Sequence, residues 1–268
     1  MAYTMTNAMT LGSARFRQIR LGLQAAPKTG KTTSALTAPN PVVADFDNNV
    51  SPSNALNAGK KPEDIVVIPF YQAEFVDKLA PRVSQLHAPN KRDAFKKWLA
   101  TEARKLENDQ TLILDSWSML QAAFDQQTGY EPAIGRNGAE DKFVFWARKI
   151  EYAKDVMEQL KTLQCHVIVI FHESAERDDE GRITGKYLPL MQGKFVDQLA
   201  GHFTDWFRAH AVAKLADPAN PRSAVVGTDY LWQTASDNLC NCGTHLSGIK
   251  PRVKATWDVF TNPQSYKA

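Results

Sequence analysis

Ala25-Ala26-Pro27-Lys28-Thr29-Gly30-Lys31-Thr32 is the stretch on which the reading of this chain turns. Before it, Ile19, Leu21 and Leu23 alternate with polar or small residues as in a buried strand. After it, residues 32–36 read as the first turns of a helix. Strand, glycine-lysine turn and helix form the setting in which the pattern G-x-x-x-x-G-K-[ST] carries chemistry. Ala25 stands at the first glycine of that pattern, a small-residue exchange that is tolerated where the backbone needs no positive φ. Such a loop turns successive backbone N–H groups inward, which supplies the many donors a triphosphate requires. Lys31 then reaches the β- and γ-phosphates, and the Thr32 hydroxyl is placed for Mg²⁺. The candidate nucleotide-binding residues are Ala26, Pro27, Lys28, Thr29, Gly30, Lys31, Thr32 and Thr33, with ATP and Mg²⁺ as expected ligands.

Working outward, Val42-Val43-Ala44 closes on Asp45 and Asp47, and Thr111-Leu-Ile-Leu closes on Asp115. Residues 165–171 form a further apolar run that ends at His172 and Glu173, and residues 65–70 read as another strand. Between these runs, residues 90–107 and 143–163 repeat apolar positions at three and four spacing and predict helices. Residues 193–216 also read as helical, before a β-rich tail. Strands alternating with helices, and apolar on both faces, predict an α/β fold with a mostly parallel sheet covered on two sides. The expected division is an N-terminal arm at 1–17, a nucleotide-binding core at 18–216 and a β-rich C-terminal extension at 217–268.

Composition excludes several classes. The 268 residues carry 32 basic against 29 acidic side chains, a net charge of +3, so any polyanion site is a local patch. Residues 1–13 lack the basic and apolar regions of an export signal, and no apolar run is long enough to span a bilayer. Three cysteines do not make a paired disulfide framework, and a cytoplasmic setting is expected.

Acids and a histidine at strand ends are the remaining candidates, because sites in parallel sheets gather at the carboxyl ends of strands. Asp115 is placed to hold Mg²⁺, the alternative being an ordinary turn acid. Asp45 or Asp47 is placed to orient an attacking water. His172 either faces the γ-phosphate or is a satisfied strand-end histidine. Cys240, Cys242 and His245 resemble half a metal site without the remaining ligands. Lys250, Arg252 and Lys254 alternate along an extended stretch and either meet phosphate or form a solvated edge. The segments 126–141 and 174–192 combine Arg136, Lys142, Arg177, Arg182 and Lys186 with Tyr130 and Tyr187, a mixture that suits single-stranded nucleic acid. They also carry Glu131, Glu140, Asp141, Asp178, Asp179 and Glu180, which reduces the electrostatic case.

Taken in order, Gly30-Lys31-Thr32-Thr33, Asp45-Phe-Asp47, Leu-Ile-Leu-Asp115-Ser116 and Val-Ile-Val-Ile-Phe-His172 resemble the RecA-type ATPase core. Within it the chain is most similar to the phage-encoded AAA-type nucleotide-binding proteins that include the Sak-type RecA-like single-strand annealing recombinases. The resemblance covers about residues 19–211. It implies ATP hydrolysis with Lys31, Asp47, Asp115 and His172 as the catalytic set, Asp47 standing where those proteins carry a glutamate. It also implies single-stranded DNA as a partner of the two loops. Assembly into a ring or filament would follow, with Lys250, Arg252 and Lys254 completing a neighbouring protomer's site. A single-strand-binding protein is a further expected partner, in the cytoplasm of a host cell. The other reading is a nucleotide-gated assembly, motor or helicase-loading ATPase that acts on protein.

Overall fold

The apolar runs become interior strands because neither of their faces meets water. In a computed structural model of the protein, residues 18–128, 134–136, 138–139, 141–191, 195–220 and 222–268 are described. The arm at 1–17 and Tyr130, Glu131, Glu140, Gln192 and Gly193 lie outside them. β1 (Arg20–Ala25), β2 (Pro41–Asp45) and β4 (Thr111–Asp115) are buried along their whole length. β5 (His166–Arg177) is buried from Val167 to Phe171 and then emerges. With β3 (Val66–Pro69) and β7 (Asp205–Leu215) these strands lie parallel in the order β3-β2-β4-β5-β1-β7. β8 (Val225–Gln233) and β9 (Arg252–Lys254) continue the sheet antiparallel beyond β7. The outer half of β5 folds back with β6 (Ile183–Pro189) as an antiparallel arm. β3 and β9 are thus the two edges: Val66 and Val67 are exposed at one, Arg252 and Lys254 at the other.

Alternation along each strand divides the core. Leu112 and Leu114 of β4, with Val167, Val169 and Phe171 of β5, lie in one cluster with α3 (Ala73–Leu79), α4 (Lys91–Thr101), α5 (Trp117–Thr128) and α6 (Lys142–Lys161). α4 starts where the Asn90 side chain accepts the Asp93 N–H, and it buries Ala94, Phe95, Trp98 and Leu99 at helical spacing. Leu21, Leu23, Ile113, Ile168 and Ile170 face the opposite side, beneath α1 (Lys31–Ala35). α2 (Pro52–Asn57) stands beside α1, and the Asn54 side chain donates to Thr33 Oγ1 at 3.0 Å.

The segment expected to be helical at 193–216 is different. Among its described residues only α7 (Val196–Leu199) and one 3-10 turn are helical, and 205–215 form β7. Ala, His and Lys in its outer half leave no clear period. Pairing with β1 on one side and β8 on the other overrides the weak helical preference. Trp206 of β7 lies so close to Gly22 of β1 that a Cβ there would stand 2.2 Å from the indole, which is why β1 carries a glycine at its centre.

After 217, β8 and β9 extend the same sheet, and Trp232, Val253, Trp257 and Val259 pack over α1. Trp232 of β8 is fully buried and donates its Nε1–H to Ser34 Oγ at 3.3 Å. Before α8 (Asp258–Thr261), the Trp257 N–H donates to Thr37 Oγ1 at 2.8 Å.

At the opposite end of β1, the buried Arg20 guanidinium donates to the Cys165 carbonyl at 2.7 Å and to the carbonyls of Lys161 and Leu163. It closes the last turn of α6 against the sheet, and its burial lowers its pKa. Arg20→Met strips these carbonyls of their donor. We expect it to lower unfolding free energy by about 1–3 kcal/mol in urea titration while leaving ligand binding at the far end of the sheet unchanged.

Candidate functional site

The carboxyl ends of four adjacent parallel strands bring the candidate residues together. β5 is inserted between β1 and β4, with Ala25 of β1 opposite His172 of β5 and Asp45 of β2 opposite Asp115 of β4. Ala25 is the last residue of β1 and fully buried, so the position where the motif has glycine needs only extended backbone. Left-handed conformation falls instead on Lys28, at φ 61°, and on Gly30, at φ 79°. Between these turns Thr29 Oγ1 donates to the Ala26 carbonyl at 2.8 Å and tightens the loop.

A cavity of about 370 Å³ lies over this loop, lined among others by Lys28, Lys31, Thr32, Thr33, Asp115 and His172. Lys31 is 8% exposed and bends back to donate its ammonium to the carbonyls of Ala26, at 2.6 Å, and Ala25, at 3.2 Å. Burial lowers its pKa, against the opposing pull of Asp115, Glu173 and Asp47. The Thr32 hydroxyl donates to Asp115 Oδ2 at 2.6 Å. Burial pushes the Asp115 carboxyl up to about 7, with Asp47 and Asp45 adding to the effect, while the Thr32 hydrogen bond and Lys31 oppose it. A hydroxyl and a carboxylate, both hard oxygen donors and held in contact, fit Mg²⁺. The peptide bond from Asp115 to Ser116 is cis.

The two acids after β2 divide their roles. Asp45 is buried and its Oδ1 accepts the N–H groups of Asp47, at 3.0 Å, and Asn48, at 2.8 Å, so it shapes the turn. Asp47 is carried inward by that turn. Its carboxylate accepts the Ser116 hydroxyl at 3.1 Å and approaches His172 Nε2 at 3.2 Å. Asp47, rather than Asp45, is therefore the acid that meets the histidine.

Sequence reading missed the group behind His172. Glu173 accepts both ends of the Arg208 guanidinium, at 2.8 and 2.9 Å, and that guanidinium stacks over the Tyr187 ring of β6 at 4.0 Å. Gln24, the residue before Ala25, donates to the Tyr187 carbonyl at 3.0 Å, and the Leu190 N–H donates to the His172 carbonyl at 2.6 Å. The only signal in the chain was an acid directly following His172. Other candidates are placed elsewhere. Lys250 and Arg252 are exposed and do not line the cavity, and Lys254 projects from β9 beside buried Val253. Arg136 and Lys142 are exposed at the start of α6 and before it. Arg177 donates to the Gly181 carbonyl at 2.7 Å, Arg182 pairs with Asp178 and Glu180, and Lys186 Nζ lies 3.9 Å from Glu176. His245 pairs with buried Asp205 at 2.8 Å, and the Cys240 and Cys242 sulfurs are 3.7 Å apart. Among the described residues no group of three or more His, Cys, Asp or Glu side chains is arranged to hold a metal.

A loop between a buried strand and a helix, with lysine, threonine and a strand-end aspartate around one cavity, has the form of a P-loop. The family described as an AAA domain matches residues 17–228, and the chain belongs to it, an AAA-type P-loop ATPase domain. A search of curated proteins returned no match. Among the described residues no helix is long and apolar enough to cross a membrane.

Two variants test the site. Lys31→Ala should weaken nucleotide binding at least about 100-fold, measured by calorimetry, with circular dichroism unchanged. Asp115→Asn keeps the shape of the side chain but not its charge. It should lower Mg²⁺-dependent hydrolysis by about 100-fold or more while binding of nucleotide without the metal stays within a few-fold.

Proposed function

We propose that this chain binds and hydrolyses ATP and uses the state of the γ-phosphate to set the position of the β5–β6 arm. With the segment at 126–141, the arm grips single-stranded DNA during recombination or strand annealing. The observation that carries the proposal is the contact between His172 and Asp47, because His172 stands on the same strand that runs out to Arg177. A γ-phosphate entering beside Lys31 meets this pair and competes for the imidazole. The strand transmits the change directly, since the Glu173–Arg208–Tyr187 group clamps both strands of the arm at its base.

In hydrolysis Asp47 is the group that accepts a proton from the attacking water, held in orientation by Ser116. Lys31 neutralises the β- and γ-phosphate oxygens, and the loop N–H groups fix the chain in line. Thr32 and Asp115 would hold Mg²⁺, whose chemistry is to offset charge on those oxygens. The site works within a ring or filament of like chains, to which Lys250, Arg252 and Lys254 of β9 and its approach contribute cations from outside the phosphate cavity.

The ion pairs within the arm favour a second reading, in which the arm moves a protein partner. Arg182 and Lys186 are already partly neutralised by Asp178, Glu180 and Glu176, and phosphate contacts need free cations. Anisotropy of a fluorescent single-stranded oligonucleotide separates the two. With Mg-ATP the wild type should bind with affinity that falls as salt rises, Lys31→Ala should not bind, and His172→Ala should bind equally with and without nucleotide. Hydrolysis without any oligonucleotide binding would leave the protein-directed reading in its place.

A further inference from the structure

We infer that the nucleoside half of the bound nucleotide lies in a second cavity between α1 and β8, with its base stacked on Tyr230. This rests on the reading of the P-loop as the phosphate site. The second cavity is about 570 Å³, within the range of small-ligand pockets. It shares Gly30 and Thr33 with the phosphate cavity, so the two adjoin at the first turn of α1. A nucleotide whose phosphates lie over Lys31 must send its ribose and base away from that loop, and this opening adjoins it on the side of Thr33.

Tyr230 belongs to the β7–β8 antiparallel pair, two hundred residues from the loop in sequence, yet its ring rests against Gly30. A Cβ at Gly30 would stand 2.5 Å from the ring, so the absence of a side chain there serves both the positive φ and the approach of the aromatic. The residue is 40% exposed, which leaves ring surface free beside the cavity. Strand alternation fixes what accompanies it. Thr228 and Tyr230 share the face of Trp232, which is buried against α1, while Asp229, Leu231 and Lys254, the last paired with Leu231, also line the cavity. The wall that carries Tyr230 therefore offers an aromatic face and the Thr228 hydroxyl, a surface for stacking a flat heterocycle, with Asp229 and Lys254 beside it.

The test compares ATP with inorganic tripolyphosphate, which has the phosphates and no nucleoside, on the full chain. Binding of each is measured by calorimetry for the wild type, Tyr230→Ala and Tyr230→Phe. Tyr230→Ala should bind ATP about 10-fold more weakly and tripolyphosphate as the wild type does, and Tyr230→Phe, which keeps the ring, should restore ATP binding to within about twofold. Equal weakening of both ligands in Tyr230→Ala would mean that the ring only packs on the loop, and unchanged ATP binding would mean that the base lies elsewhere; either overturns the inference while the phosphate site stands. Wild-type protein that binds neither ligand would overturn the phosphate site along with it.

Discussion

The hydrogen bond from Thr32 to Asp115, 2.6 Å long across 83 positions of sequence, is the contact on which the site depends. A carboxylate only 1% exposed at the end of an apolar strand is costly unless something satisfies it. Here the partner is the hydroxyl that begins the helix after the phosphate loop. That bond joins the loop to β4 although β5 lies between β1 and β4. The cost of burial is visible in the raised pKa of Asp115.

The insertion of β5 has an equally direct effect. It sets His172 next to Ala25 and within reach of Asp47, so one strand touches the loop, the acid that turns after β2, and the arm beyond. The outer half of β5 is no longer covered by helices, and its hydrogen bonds go to β6 instead. Core and arm are one continuous strand, and the polar clamp of Glu173 and Arg208 marks the point where burial ends.

Much of this geometry was legible in the chain because the candidate side chains sit at the end of an apolar run or a few residues beyond it. Lys31, Asp47, Asp115 and His172 could be found without knowing which strands were neighbours, since every parallel strand delivers its carboxyl end to the same edge of the sheet. What was not legible depends on register. Arg208 meets Glu173, and Tyr230 meets Gly30, only because β7 and β8 follow β1 in the sheet order, and no local pattern announces that order. The segment at 205–215 was misread for the same reason: its outer half is an exposed hairpin limb, stabilised by its partner strand and not by any periodic apolar face.

The two edges of the sheet are unlike. One is the short β3 with bare valines, the other is β9 with its guanidinium and ammonium groups, and the strands at both ends run in the same direction. Any association that brings one edge against the other is therefore heterologous, each copy offering a different surface from the one it receives. Repetition of such a join has no twofold partner to end it, and its only closed form is a cycle.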